Sequence, residues 1–185
     1  MAEHALFVPE CWADTALMHA LLVTPNNHNL ISHAQGIGNV GRVLKDEKGL
    51  RQGRRLVGMV DRDKKFAENP YLAEFTQIVA GSLDRTSPHC ILRHATRPDQ
   101  HLIVLNPACD TWLFQAAQEA SVSLIDLDIA TTLPEFIDFC KQDGITNNPR
   151  MKELLWAIQQ ARPAIYRELA DFIASIMDIT PKKAH

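Results

Sequence analysis

The sequence predicts an α/β fold, a mainly parallel sheet flanked by helices with a helical C-terminal extension. Three observations carry that expectation. Short apolar runs alternate with segments of helical period through the first two thirds of the chain. One run, 56–60, is closed on one side by Arg54-Arg55 and on the other by Asp61-Arg62-Asp63-Lys64. An apolar run bounded by charge is the pattern of a strand buried on both faces, as in parallel sheets. After about residue 130 only helical periods remain. The expected division is therefore an α/β domain over 1–130 and a helical extension over 131–185.

The elements follow in order. Residues 5–8 (Ala-Leu-Phe-Val) form a first strand, with Pro9 fitting its end. Leu17, Met18, Leu21 and Leu22 mark a helix over 12–23, and 25–29 is a turn cluster. Residues 30–34 make a weak second strand. Gly36, Gly38 and Gly41 form a loop, followed by a helix through Val43, Leu44 and Leu50. The strand ending at Asp61 comes next, and 71–79 reads as a short helix. Residues 90–94 and 101–105 read as strands joined by the turn at 96–99, a hairpin that would make the sheet mixed. Helices are expected over 110–120, 133–140, 151–160 and 163–177, with a break at 146–149 and a frayed tail at 181–185. Their apolar stripes, Trp156 included, are expected to pack on the sheet or on each other.

Composition narrows the function classes. The chain has 185 residues, is 46% hydrophobic and 22% charged, and carries a formal net charge of -3. That charge gives no global electrostatic footprint for nucleic acid, so such binding needs a local basic patch or a bridging metal. The four cysteines, Cys11, Cys90, Cys109 and Cys140, are scattered without a CxxC pair. They suit reduced thiols in a cytoplasmic setting. No apolar run nears the roughly 20 residues of a membrane span, and the N-terminus lacks the layout of a signal peptide. The histidines show no HxH or HxxxH pairing and read as surface or hydrogen-bonded residues.

The acids carry the chemistry. Asp61 and Asp63 share one side-chain phase on an extended chain and can converge at the carboxyl end of their strand. Ligands gather at such ends in open α/β sheets. Two carboxylates there suit a hard cation such as Mg²⁺. Glu10 stands at the junction between the first strand and the first helix, again at the carboxyl edge, and Asp14 lies in the first turn of that helix.

This order of elements resembles the Toprim domain, found in topoisomerases, primases, recombination mediators and nucleases of the overcoming-lysogenization-defect type. Val8-Pro9-Glu10-Cys11-Trp12-Ala13-Asp14 is similar to that family's Val-Glu-Gly-x-x-Asp motif, with Pro9 inserted and Cys11 in the glycine position. Asp61-Arg62-Asp63 resembles its Asp-x-Asp motif. Asp110-Thr111-Trp112-Leu113 resembles an acid-x-Trp-Leu segment in which the acid is often Glu. The resemblance covers roughly 4–120. It implies Mg²⁺ or Mn²⁺ held by Asp61 and Asp63, with Asp110 helping to hold a second ion. Glu10 would be a ligand or the general acid/base, and Lys64 and Arg62 would contact a phosphate. The implied activity is a nuclease acting on DNA or RNA, in phage defence or nucleic-acid processing, with a separate ATPase or other protein docked on the C-terminal helices as the implied partner.

Two alternatives stand beside it. Gly36-x-Gly38-x-x-Gly41 is a literal dinucleotide fingerprint, with Asp61 about 20 residues further on. A Rossmann-type protein binding NAD or flavin through that loop would follow. A non-catalytic interaction module that keeps the Toprim shape is the other. Cys11, beside the acids, reads first as a small buried apolar residue.

Overall fold

The computed structural model describes residues 5–22, 27–46, 54–62, 66, 68–84 and 86–177. In chain order these give β1 (Ala5–Pro9), α1 (Trp12–Leu21), α2 (Ile37–Lys45), β2 (Arg55–Asp61), β3 (Phe75–Gly81), β4 (His89–His94), β5 (Gln100–Leu105), α3 (Cys109–Glu119), α4 (Leu133–Cys140), α5 (Pro149–Ala161) and α6 (Ala164–Ile176). The expected tail, and Leu50 of the expected second helix, lie outside the described residues.

The strands form one mixed five-stranded sheet of order β1-β2-β5-β4-β3. β1, β2 and β5 run parallel, whereas β4 is antiparallel to both β5 and β3. The expected hairpin is thus β4–β5. The weak strand expected at 30–34 amounts to one parallel bridge, Ile31 to Phe7. It is prolonged by the N–H groups of Ser32 and Ala34 donating to the carbonyls of Phe7 and Pro9 at 2.8 and 2.9 Å. This segment therefore borders β1 on the side away from β2.

Strand alternation divides the core between two faces. Phe7, Val57, Met59, Ile91, Ile103 and Leu105 point into one core with α1 and α3 to α6. Val8, Leu56, Val60, Leu92, Leu102 and Val104 point into the other, with Val40 and Leu44 of α2 and with Tyr71 and Leu72. The C-terminal helices therefore cover one face of the sheet and share its core. Phe136, Leu154, Ile158, Tyr166 and Leu169 are all buried there beside Trp112. The Tyr166 hydroxyl donates to the Ala20 carbonyl at 3.0 Å, and the Arg55 guanidinium donates to the Ile176 carbonyl at 2.6 Å.

Three expectations are corrected. Residues 71–79 are not a helix: a single 3-10 turn, Leu72–Glu74, leads directly into β3. Leu72, Phe75 and Val79 fall at helical spacing by coincidence, whereas Thr76, Ile78 and Val79 are β-branched and suit an extended edge strand. Asn69 holds the turn, its side-chain oxygen accepting from the N–H groups of Tyr71 and Leu72, both at 3.1 Å. The glycine segment is not a loop: Gly38 and Gly41 lie within α2, and only Gly36, at φ 114°, stands outside it in a conformation that needs glycine. Trp156 does not join the core and is 61% exposed.

The layout also separates the glycines from Asp61. In a dinucleotide fold the glycine strand neighbours the strand that ends in the acid. Here β1 lies between 31–34 and β2, so the partner position of the fingerprint belongs to a different strand.

Gly58 lets α2 approach β2 closely. A Cβ there would meet Leu44 and Leu102 at 2.9 Å and Val40 at 3.0 Å. Gly58→Val is expected to cost about 1–3 kcal/mol by overpacking, read as a lower urea midpoint with unchanged m-value.

Candidate functional site

Parallel pairing sets the site. Pro9 is level with Met59, so β1 and β2 end together. The N–H of Glu10 continues the ladder to the Met59 carbonyl at 3.0 Å, and the Asp61 N–H donates to the Glu10 carboxylate at 3.3 Å. Asp61 has the phase of Val57 and Met59, the face covered by α1 and α3. Its carboxylate accepts from the N–H of Cys109 at 2.8 Å, in the first turn of α3. There the dipole of the helix favours negative charge.

Asp14 completes the cluster from the first turn of α1. It is fully buried. Its Oδ2 accepts from the Cys11 N–H at 3.0 Å, and its own N–H donates to the Cys11 sulfur at 3.5 Å. This is a reciprocal capping box with cysteine in place of serine or threonine. The other carboxylate oxygen, Oδ1, is buried without a geometric hydrogen-bond partner, and the Cys109 and Cys11 thiols beside the carboxylate favour its charged form.

Four acids thus gather where two strand ends meet two helix starts. Burial and the negative charge of Asp14 push Asp61 up to about 8, against the Cys109 hydrogen bond, with Glu10 and Asp110 adding to the rise. Asp14 is raised to about 6, chiefly by burial, against the hydrogen bond from Cys11. Both are driven by desolvation and like charge, the environment typical of carboxylates that share a functional site. Asp110, in the first turn of α3, accepts at Oδ1 from the N–H and hydroxyl of Thr111 at 2.6 and 3.1 Å.

The remaining site residues fall as follows. Arg62 has the opposite phase from Asp61. Its N–H donates to the carbonyls of Leu105 and Pro107 at 2.9 and 3.1 Å, and its charge acts on Cys90, in the core of the other face. Asp63 and Lys64 lie outside the described residues. Cys11 is half-buried, and burial followed by the charge of Asp14 holds its thiol far above the usual range. It is a cap, not a thiolate nucleophile. Trp12, half-exposed beside these acids, stacks on His33 with ring centroids 3.6 Å apart. The central role of Asp14 had one signal in the sequence, its spacing of four from Glu10. An acid in a first helical turn otherwise reads as a cap.

The donors suit a hard divalent cation in kind: all are carboxylate oxygens, and the Asp14 Oδ1 is buried without a partner. Among the described residues no three histidine, cysteine or acidic side chains stand already arranged as a ligand set. Comparison of the chain with family models, with curated proteins and with solved structures finds no match. No helix among the described residues is long and apolar enough to cross a membrane.

The raised acids make the metal-free protein pH-sensitive. A carboxyl whose folded pKa lies above its unfolded value contributes stability at low pH, and loses it as pH rises through the folded pKa. Between pH about 4 and about 8 the metal-free melting temperature is expected to fall. Asp61→Asn keeps an oxygen for the Cys109 N–H and removes the titration. It should flatten that fall and melt higher than wild type at pH 8 (differential scanning fluorimetry in chelator). Each unit of raised pKa corresponds to about 1.4 kcal/mol. An unchanged slope in the variant would show that Asp61 titrates normally.

Proposed function

We propose that the chain is a Toprim-like, metal-dependent enzyme of phosphodiester chemistry, a nuclease acting on DNA or RNA. The observation that carries this reading is the convergence of Glu10, Asp14 and Asp61 at the aligned carboxyl ends of β1 and β2, with one buried carboxylate oxygen unpartnered. Asp61 and Asp14 would hold Mg²⁺ or Mn²⁺, with Asp63 the next acid along the chain and Asp110 a further candidate from the first turn of α3. A bound divalent ion would stabilise charge developing on a phosphodiester and lower the pKa of bound water.

The residues have separable tasks. Cys109 and Cys11 orient the Asp61 and Asp14 carboxylates through their backbone N–H groups. Glu10 is half-exposed at the junction, placed to exchange a proton with solvent while its Oε2 accepts from Asp61 N–H. The stacked Trp12 and His33 border the acids and offer a flat aromatic surface beside them. Lys64 would contribute positive charge toward the phosphate backbone, whereas Arg62 serves the other face of the sheet, beside Cys90.

Metal response and cleavage test the proposal together. Mn²⁺ should raise the melting temperature of wild type by mass action, more at pH 8 than at pH 6 because the cation competes with protons on Asp61 and Asp14. Asp61→Asn should abolish that rise and lower Mn²⁺-dependent cleavage of single-stranded or duplex substrates on the order of 100-fold or more. No Mn²⁺ response in wild type would overturn the metal site. A response without cleavage of any DNA or RNA substrate would leave the non-catalytic module.

A further inference from the structure

Away from the acids, α1 and α5 enclose an open cavity of about 370 Å³, within the size range of small-molecule sites. Ala16 and Ala20 of α1 give it a floor of small residues. Trp156 of α5 forms a wall and is 61% exposed, on the solvent-facing side of a helix whose Met151, Leu154, Leu155 and Ile158 are buried. Lys152, one helical turn before Trp156, shares its side of α5. His19 and His28 supply two imidazoles, with ring centroids 5.0 Å apart.

The cavity is built rather than incidental. Asn27 donates to the carbonyls of His19 and Leu22 at 3.2 and 2.9 Å, which orients its amide. Its side-chain oxygen therefore faces His19 Nδ1, at 3.0 Å, and accepts from it. With Nδ1 as donor, the neutral ring keeps Nε2 as an acceptor. Gln159 donates to the Ala20 carbonyl at 3.2 Å and ties α5 to α1 across the floor. The described lining holds a lysine and two histidines and no carboxylate. In a chain with 22 acidic and 19 basic residues, that is a local excess of cationic and hydrogen-bonding groups.

We infer that this cavity binds a nucleoside monophosphate, its base packed against Trp156 over the alanine floor and its phosphate held by Lys152, with His19 Nε2 left to accept from a donor of the ligand. An indole with an open face takes any base by stacking. An ammonium group is a point-charge partner for phosphate. A small inorganic anion would leave the indole and the apolar floor unused, and an uncharged planar ligand would leave Lys152 unused. The inference stands independently of the acidic site, which is built at the other end of α1.

Isothermal titration of the full chain with 5′-AMP, adenosine and inorganic phosphate tests it, on wild type, Lys152→Gln, Trp156→Ala, Trp156→Phe and Asp61→Asn. Lys152 and Trp156 are exposed, and circular dichroism melts check that the variants remain folded. Expected is saturable 5′-AMP binding below about 1 mM, with adenosine and phosphate each weaker. Lys152→Gln and Trp156→Ala should each weaken it about tenfold. Trp156→Phe should retain most of the affinity, and Asp61→Asn all of it. Absence of saturation, equal affinity for phosphate and 5′-AMP, or indifference to both pocket substitutions would overturn the inference. Loss of binding in Asp61→Asn would assign the nucleotide to the acidic site instead.

Discussion

The alignment of β1 with β2 is the constraint on which the candidate site depends. With Pro9 opposite Met59, the residue after β1 and the last residue of β2 fall side by side, and Glu10 accepts directly from the backbone of Asp61. Slippage by one residue would turn every β1 side chain to the other face. That would cost the burial of Phe7 among α1 and the C-terminal helices and of Val8 beside α2. The hydrophobic alternation of both strands thus enforces the position of acids that the core itself disfavours. Burying carboxylates near one another lowers stability, and the two-faced apolar sheet supplies the excess that tolerates it.

Helix starts temper that cost without removing it. Cys11 and Cys109 each present a backbone N–H to an acid at the head of a helix. Cysteine at these positions also packs as a small apolar group, so the cap of α1 can sit against the core where a hydroxyl would need a further partner. Each hydrogen bond satisfies one carboxylate oxygen, and Asp14 keeps a second, buried oxygen unpaired. An unsatisfied buried polar atom is rare enough in folded proteins to call for an explanation. Under the proposed function, a cation shared among the acids would supply that partner.

The C-terminal helices serve the same site from outside it. α5 and the turn before it pack on α1, with the Thr146 hydroxyl donating to the Trp12 carbonyl at 3.1 Å. That contact helps fix the first turn of α1, from which Asp14 projects. The same packing leaves the cavity between α1 and α5 open, because Trp156 turns outward while Leu155 and Ile158 turn in. Covering one sheet face therefore does two things at once: it buries the start of α1 and creates a separate hollow along its length, with Lys152 at its side.

Local pattern was enough for much of this. The alternating apolar runs determined β1, β2, β4 and β5, helical periods determined α1 and α3 to α6, and the β4–β5 hairpin followed from its turn. Glu10 and Asp61 were marked by standing where apolar runs stop. Other features were decided only in three dimensions. β3 read as a helix because an exposed edge strand needs no inward alternation, and its few large residues happened to fall at helical spacing. Gly38 and Gly41 read as loop because propensity disfavours them in a helix, whereas packing admits them: Gly38 is exposed, and Gly41 is buried where a Cβ would crowd Asn69 at 3.0 Å. The sequence by itself determined which residues seek the core and where the acids lie along the chain. The depth of Asp14, the outward turn of Trp156 and the intervening position of β1 depend on which surfaces meet. Those contacts join residues far apart in the chain, from Phe7 with Ile31 to Trp12 with Thr146, and no local spacing encodes them.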